Sequence, residues 1–411
     1  MDSKKWGRYF TTHVLLLKLV ISLIANNNTT LEPCCGMGHI VEQIEKIRES
    51  IVAIDIIKNE ENPHCVTPIK YMNFFDYPII NKFDTIIANP PYVSYRMFDN
   101  DITANWKSCL PKINLYMYFI EKCFYHLKQK GELILIIPFD FINNERGCNL
   151  RKLLHENGTI TNLINLSNKK LFKNCFPDII VLRYEKDNHS YIMKYSNNIE
   201  NNNCINIPNY FQNEVISFMD NSKQFIYLKE YFDVRVGIVI GCNEIFKYDS
   251  ELSVNVIMSD YEKTTITHKY LYVNDLSVNE LESKYNEIYQ YLLKNKDKLC
   301  KRKVRRITEK NWWKWGSTRN LKYMNTNQNY IYVNQRTRSK SPFYIHKSCF
   351  FDGTVLALIP KKNIKLHFWC NLLNNNYKLF EQQGLLLCNK YMLSKKKLEN
   401  FKIPIELINN L

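Results

Sequence analysis

The run Phe83-Asp84-Thr85-Ile86-Ile87-Ala88 leads directly into Asn89-Pro90-Pro91-Tyr92, and few junctions restrict a fold so tightly. The mostly apolar run reads as a buried strand. Two successive prolines bring no backbone N–H, so a central strand cannot continue through them. The strand therefore stops and delivers a rigid corner made of an amide, a proline carbonyl and an aromatic ring. In an open α/β sheet this carboxyl edge is where ligands bind. The corner has the parts to hold an exocyclic amine: two oxygen acceptors and a flat ring to stack on. A plain turn accounts for the same four residues, because Asn-Pro and Pro-Pro punctuate loops. The segments upstream decide between the two.

Those segments alternate strand, turn and helix. Val14 to Ala25 is apolar except for a narrow stripe of Lys18 and Ser22. It is too short to span a bilayer and no small-x-small cleavage pattern follows, so the expectation is a largely buried helix and no membrane partner. Thr30 to Gly38 reads as a strand and a Gly-bearing turn, and Ile40, Val41, Ile44 and Ile47 then recur at helical spacing. Ile51 to Asp55 is a second strand ending on a carboxylate, Tyr71 to Asp76 a third strand end, and Phe83 to Ala88 the fourth. Leu115 to Leu127 follows as a helix; Gly131 to Pro138, Thr159 to Ile164 and Ile179 to Tyr184 complete a seven-strand set. This order predicts an α/β fold with a mostly parallel, doubly wound, Rossmann-like sheet.

From about Tyr231 the texture changes: aromatic and basic residues interleave and strand signals become short. An Asn-rich stretch around Asn201-Asn202-Asn203 precedes the change. The expected division is 1–230 for the first domain and 231–411 for a second, mixed α+β domain. Lys+Arg 56 against Asp+Glu 40 leaves a net charge of +16, which favours a polyanionic partner. Plentiful Lys, Asn, Ile and Tyr also fit A/T-biased coding, which raises Lys without any partner. Thirteen cysteines without a Cys-x-x-Cys pair match neither a zinc site nor a disulfide scaffold. Reduced thiols, a cytoplasmic setting and no metal are expected.

The strand ends carry a coherent set of groups. Gly36-x-Gly38 allows close backbone approach to a ligand, Glu32 stands just before that turn, and Asp55 is placed to take the two hydroxyls of a ribose. The third glycine of the dinucleotide fingerprint is missing. A cofactor with ribose and adenine but no phosphate suits the set, and S-adenosylmethionine is that molecule. Glu32 would meet its cationic end, Asp55 its ribose and Asp76 its adenine amine. Each group has a plainer reading, as a tight turn, a helix cap or, for Asp76, a turn residue. Four strand ends in the right order weigh against coincidence.

With these residues the chain resembles the γ-class N6-adenine DNA methyltransferases, particularly the Taq-like type II restriction–modification methylases, over nearly its whole length. Gly7-Arg8-Tyr9-Phe10-Thr11 is similar to the family's amino-terminal motif, and Leu31-Glu32-Pro33-Cys34-Cys35-Gly36-Met37-Gly38 to its glycine motif. Asn89-Pro90-Pro91-Tyr92 resembles the catalytic motif in all four residues. Leu171 to Pro177 resembles a later loop whose aromatic residue stacks on the extruded base, here Phe176 with Phe172 as its rival. The resemblance implies that Thr11, Glu32, Pro33, Cys34, Gly36, Gly38, Asp55, Ile56, Asp76 and Asn89 hold S-adenosylmethionine. It implies Asn89, Pro90, Pro91 and Tyr92 as the catalytic corner, and Tyr92 with Phe176 against the base. Two departures stand out: Thr12 replaces a common proline, and His39 a common Phe or Tyr.

Phe232 to Phe246 resembles the start of the family's target-recognition domain. Lys294, Lys296, Lys298, Lys301, Arg302, Lys303, Arg305 and Arg306 crowd the chain beyond it, followed by Trp312, Trp313, Trp315, Arg319, Arg336, Arg338 and Lys340. Cations beside planar side chains suit nucleic acid. The expectation is duplex DNA as partner, with Lys301, Arg302, Arg305, Arg306, Arg336 and Arg338 as contacts and the tryptophans as core. The expected protein is a monomer, served by a separate restriction endonuclease if by any, because little chain precedes the first motif. The rival readings are methylation of a ribosomal RNA guanine or a protein glutamine on the same corner, and a DNA-binding module with a decayed fold.

Overall fold

A computed structural model describes the chain except for residues 1–8, 27, 59–62, 99–112, 167–170, 172–177, 201–203, 213–214, 220–223, 260–265, 303, 305–306, 388–389 and 409–411. The chain forms two compact units: Met1–Asp220 with Gln382–Gly384, and Asn221–Glu381 with Leu385–Leu411. The division falls ahead of the expected Glu230/Tyr231 boundary for a simple reason. Phe225–Tyr227 pairs antiparallel with Lys402–Pro404 and so belongs to the second unit.

The first unit is built on one large sheet. Its strands are β1 (Thr30–Glu32), β2 (Ile51–Asp55), β3 (Ile69–Tyr71), β4 (Phe83–Ala88), β5 (Leu127–Pro138), β6 (Gly158–Asn165), β7 (Ile179–Lys186), β8 (Ile192–Ser196) and β9 (Ile205–Pro208). Their order is β3-β2-β1-β4-β5-β7-β6-β8-β9. The pairs β1–β2, β1–β4, β2–β3, β4–β5 and β6–β8 are parallel, and β7 enters antiparallel between β5 and β6. Six of the seven expected strands are present where expected; the third lies at Ile69–Tyr71 and shares only Tyr71 with its expected span, and β8 and β9 widen the sheet to nine among the described residues. The near-continuous burial of β4 and of the second half of β5 is what a sheet covered on both faces requires.

Helices cover those faces: α1 (Val14–Ser22), α2 (His39–Glu45), α3 (Leu115–His126) and α4 (Cys148–Glu156). The first is half-exposed, not largely buried as expected. Leu16, Leu17, Leu19 and Val20 pack inward, whereas Val14 and Leu15 join Lys18 and Ser22 at the surface. No helix among the described residues is long and apolar enough to cross a membrane.

A buried ion pair ties the layers together. Glu132 on β5 is fully buried and accepts from Arg183 Nε and Nη2 on β7 at 2.9 and 2.7 Å, and from Thr85 Oγ1 on β4 at 2.8 Å. The backbone N–H groups of Ala25 and Asn26, just past α1, donate to the same carboxylate.

The second unit centres on an antiparallel sheet in the order 232–236, 355–360, 329–334, 344–347. Alternation sends Ile331, Val333, Leu356 and Leu358 to one face, against Trp369 and Phe380. Tyr330, Tyr332, Val355 and Ala357 face the other side, where Phe246, Trp312, Trp313 and Trp315 pack. The three tryptophans are therefore core, as expected. The indole N–H groups of Trp313 and Trp315 donate to the carbonyls of Leu276 and Leu271.

Candidate active site

The carboxyl ends of β1, β2 and β4 meet around a cavity of about 350 Å³. Its walls include Thr11, Glu32, Pro33, Cys34, Gly36, Asp55, Ile56, Asn89 and Pro91. Each strand end hands over a particular group. After β1 the chain turns through Gly36 and Gly38, both in the left-handed region with φ of 58° and 79°. A Cβ on Gly36 would lie 2.9 Å from the Phe10 ring, and one on Gly38 2.4 Å from Cys65 Sγ, so neither position takes a side chain. Gly38 shapes the turn without lining the cavity. At the end of β2, buried Asp55 accepts from the Gly36 N–H at 2.7 Å and the Ile57 N–H at 2.9 Å. The carboxylate thereby locks the glycine turn against the neighbouring strand.

Glu32 is 1% exposed, and its Oε2 has no hydrogen-bond partner among the described residues. Burial foremost, and then the Asp55 charge, push its carboxyl up to about 8, against the Val41 N–H, which pulls it down. Burial also raises the Cys34 thiol, with Glu32 adding to the effect, so this sulfur stays protonated and unreactive. The His39 ring lies against His64, tilted by 36° with centroids 4.2 Å apart. Burial and that neighbour hold its ring below the usual imidazole range, and Glu42 opposes them.

Beyond β4 the Asn-Pro-Pro-Tyr corner does not behave as a loose turn. Asn89 Nδ2 donates to the Tyr9 carbonyl at 2.6 Å and to Thr11 Oγ1 at 3.0 Å. The Tyr92 hydroxyl lies 2.9 Å from both Asn89 Oδ1 and the Ile136 carbonyl and shares its single proton between them. Its ring packs beside Tyr9 and edge-on to Tyr116, at 5.3 and 6.1 Å between centroids. Pro90 is buried, and no donor among the described residues reaches its carbonyl.

Asp76 requires correction. β3 ends at Tyr71, and Phe74–Asp76 forms a short 3-10 turn capped by Asn73, whose Oδ1 accepts from the Phe75 N–H at 3.1 Å. The turn leaves Asp76 exposed and off the cavity wall, which Asn73, Phe74 and Phe75 supply instead. Phe119 from α3 also lines the cavity, its ring edge-on to Phe75 at 5.0 Å. Apolar spacing marks Phe119 as core and does not reveal it as a wall. Phe176 and Phe172 lie outside the described residues.

Arg302 is the second correction. It is 9% exposed, and its guanidinium donates to the carbonyls of Leu299, Ile240, Trp312 and Lys314, so it staples the second unit's core and offers nothing to a phosphate. Lys301, Arg336 and Arg338 are exposed, while Arg305 and Arg306 lie outside the described residues. Residues 336–337 form a short strand against 391–392. Thr337 is buried between the two exposed arginines, and Arg338 lies just past the strand.

Comparison with known proteins bears on this site. The Eco57I restriction-modification methylase family matches residues 14–172. The type II methyltransferase M.HindII of Haemophilus influenzae is 24% identical across 99% of this chain and 91% of its own length. M.HincII of the same species is 26% identical across 73% of this chain, which spans 60% of that relative. Among solved structures, the type IIL restriction-modification enzyme MmeI in complex with DNA aligns with a TM-score of 0.58 at 12% identity, over 96% of this chain and 62% of its own. That likeness concerns the fold.

Proposed function

We propose that this chain, which belongs to the type II restriction–modification methylases, is a DNA methyltransferase that uses S-adenosylmethionine to methylate the N6 amine of an adenine extruded from duplex DNA. The observation that carries the reading is one cavity shared by Asn89, Asp55 and a buried Glu32 whose Oε2 lacks a partner among the described residues. A carboxyl group held in that state is matched by a cation. Gly36 lines the cavity at a positive φ that favours glycine, and Phe75, Phe119 and Ile56 present apolar walls suited to adenine.

When bound, S-adenosylmethionine supplies an electrophilic methyl group on a cationic sulfur. The chain does the rest. Glu32 would hold the ammonium end and Asp55 the ribose hydroxyls. Thr11, Pro33, Cys34 and Gly36 would close around the remainder. An adenine amine is a poor nucleophile because its lone pair is delocalised into the ring. Accepting its two hydrogens at Asn89 Oδ1 and the Pro90 carbonyl favours a pyramidal nitrogen and frees the pair. The gain comes from fixed dipoles and orientation, with no strong base. The amine is out of reach inside a duplex, so the base must leave the stack. Tyr92 and Phe176 are the residues proposed to stack on it. The second unit, with exposed Arg336, Arg338 and Lys340, would bind the DNA. A separate restriction endonuclease of the same specificity is the partner this reading implies.

Asn89→Ala tests the reading directly. Tritium transfer to duplex DNA should fall by at least roughly 10²-fold, while calorimetry shows the cofactor still bound. Near-normal transfer would remove Asn89 from the chemistry. Sequencing that reads modified bases would report whether adenine carries the methyl group.

A further inference from the structure

We infer that the amino-terminal segment Tyr9–Thr11 is the positioning element of the catalytic corner. It sets which way the Asn89 amide faces, and it does so only because residue 89 is asparagine. The inference rests on the reaction proposed above, but its geometry stands apart from it.

An amide has two similar ends, and only its partners decide which end points where. The Tyr9 carbonyl can only accept, so at 2.6 Å it must face Nδ2. Thr11 Oγ1 takes the other Nδ2 hydrogen at 3.0 Å. Both N–H donors are then in use, and Oδ1 is fixed as the acceptor end. The Tyr92 hydroxyl supports the same orientation from the other side. Thr11, in accepting from Asn89, turns its own O–H elsewhere, and the residue lines the cavity. One side chain thus touches both the cofactor cavity and the methyl-accepting corner. The same segment lays the Phe10 ring over Gly36, so the glycine turn and the corner are closed by three consecutive residues.

The arrangement predicts that a carboxylate in place of Asn89 would disturb this contact. Aspartate offers the target amine an equally good acceptor, but it would turn an oxygen toward the Tyr9 carbonyl where Nδ2 now donates. Two facing acceptors without a proton repel, and the segment would lift from the corner.

Three variants test this in the full chain. Asn89→Asp should raise hydrogen–deuterium exchange across residues 9–13, with the remaining sheet exchanging as before; unchanged exchange there would overturn the inference. That readout needs no turnover. Thr11→Val should lower kcat by roughly 10- to 100-fold over and above any loss of cofactor affinity, and Thr11→Ser should recover most of the kcat loss. Weaker cofactor affinity at unchanged kcat would assign Thr11 to the cofactor alone and overturn its positioning role. If the unaltered chain methylates no duplex, the proposed reaction falls, and the exchange result by itself decides the positioning role.

Discussion

Glu32 shows how much chemistry one residue can report. Without a cation beside it, burial and Asp55 push its carboxyl up to about 8, so it is protonated at neutral pH. An ammonium group alongside favours the ionised form and draws the pKa down. Binding then releases a proton below about pH 8, and cofactor affinity should climb as the pH approaches 8 and level off above it. Calorimetry in buffers of different ionisation enthalpy measures the proton released; Glu32→Gln should flatten the profile. The same shift acts on the fold with a definite sign. The folded value lies above the ordinary carboxyl value of 4.5, so this group's contribution to stability is full below that pH and is lost as the pH rises through about 8. Glu32, Asp55 and Asn89 were legible in the sequence because each stands at the end of a buried strand, where a polar group is costly without a task. Asp76 was misread for the complementary reason. Its strand stops at Tyr71, and strand-end logic says nothing about where a 3-10 turn aims its third side chain.

The elements show a similar division. Strands β2, β4 and β7 announced themselves through apolar runs, whereas β1, Thr30-Leu31-Glu32, was marked by the glycine turn that follows it. Strands β8 and β9 did not. Ile192–Ser196 buries only Met193 and Ser196 well, and Ile205–Pro208 buries none of its residues fully, so neither carries a strong periodic signal. The Glu132–Arg183 pair was equally hidden, because it joins residues far apart in the chain. Its energetic weight is calculable. Removing one partner of a buried pair leaves the other charged and unmatched, which costs about 3–5 kcal/mol. Arg183→Leu should therefore lower unfolding stability by about that amount. Glu132→Gln combined with Arg183→Leu should cost less than the sum of the two single changes. Denaturant titrations of the three variants form the cycle, and strict additivity would show that the pair is not coupled.

Across the molecule, the excess of positive charge is informative only once each cation is placed. In sequence Arg302 and Arg336 were equivalent: basic residues of the carboxyl half, near aromatic side chains. Packing separates them. Arg302 spends its guanidinium on four carbonyls of the core, whereas Arg336 on a short strand and Arg338 just past it are exposed, and no carboxylate lies within ion-pair distance of them among the described residues. The two kinds of arginine should fail in different ways. Arg302→Met strands several buried acceptors, each costing about 1–3 kcal/mol, and should destabilise the second unit. Arg336→Ala with Arg338→Ala should leave the melting temperature nearly unchanged and weaken duplex binding. Taking one cation away from a phosphate reduces the slope of log affinity against log salt by about 1, so the double change should flatten it by about 2. If one of the two arginines instead reads a guanine edge, the slope falls by less and discrimination between DNA sequences relaxes. Fluorescence anisotropy across a salt series, on matched and scrambled duplexes, separates these outcomes. An affinity and slope equal to those of the unaltered chain would place the DNA on another face of the protein.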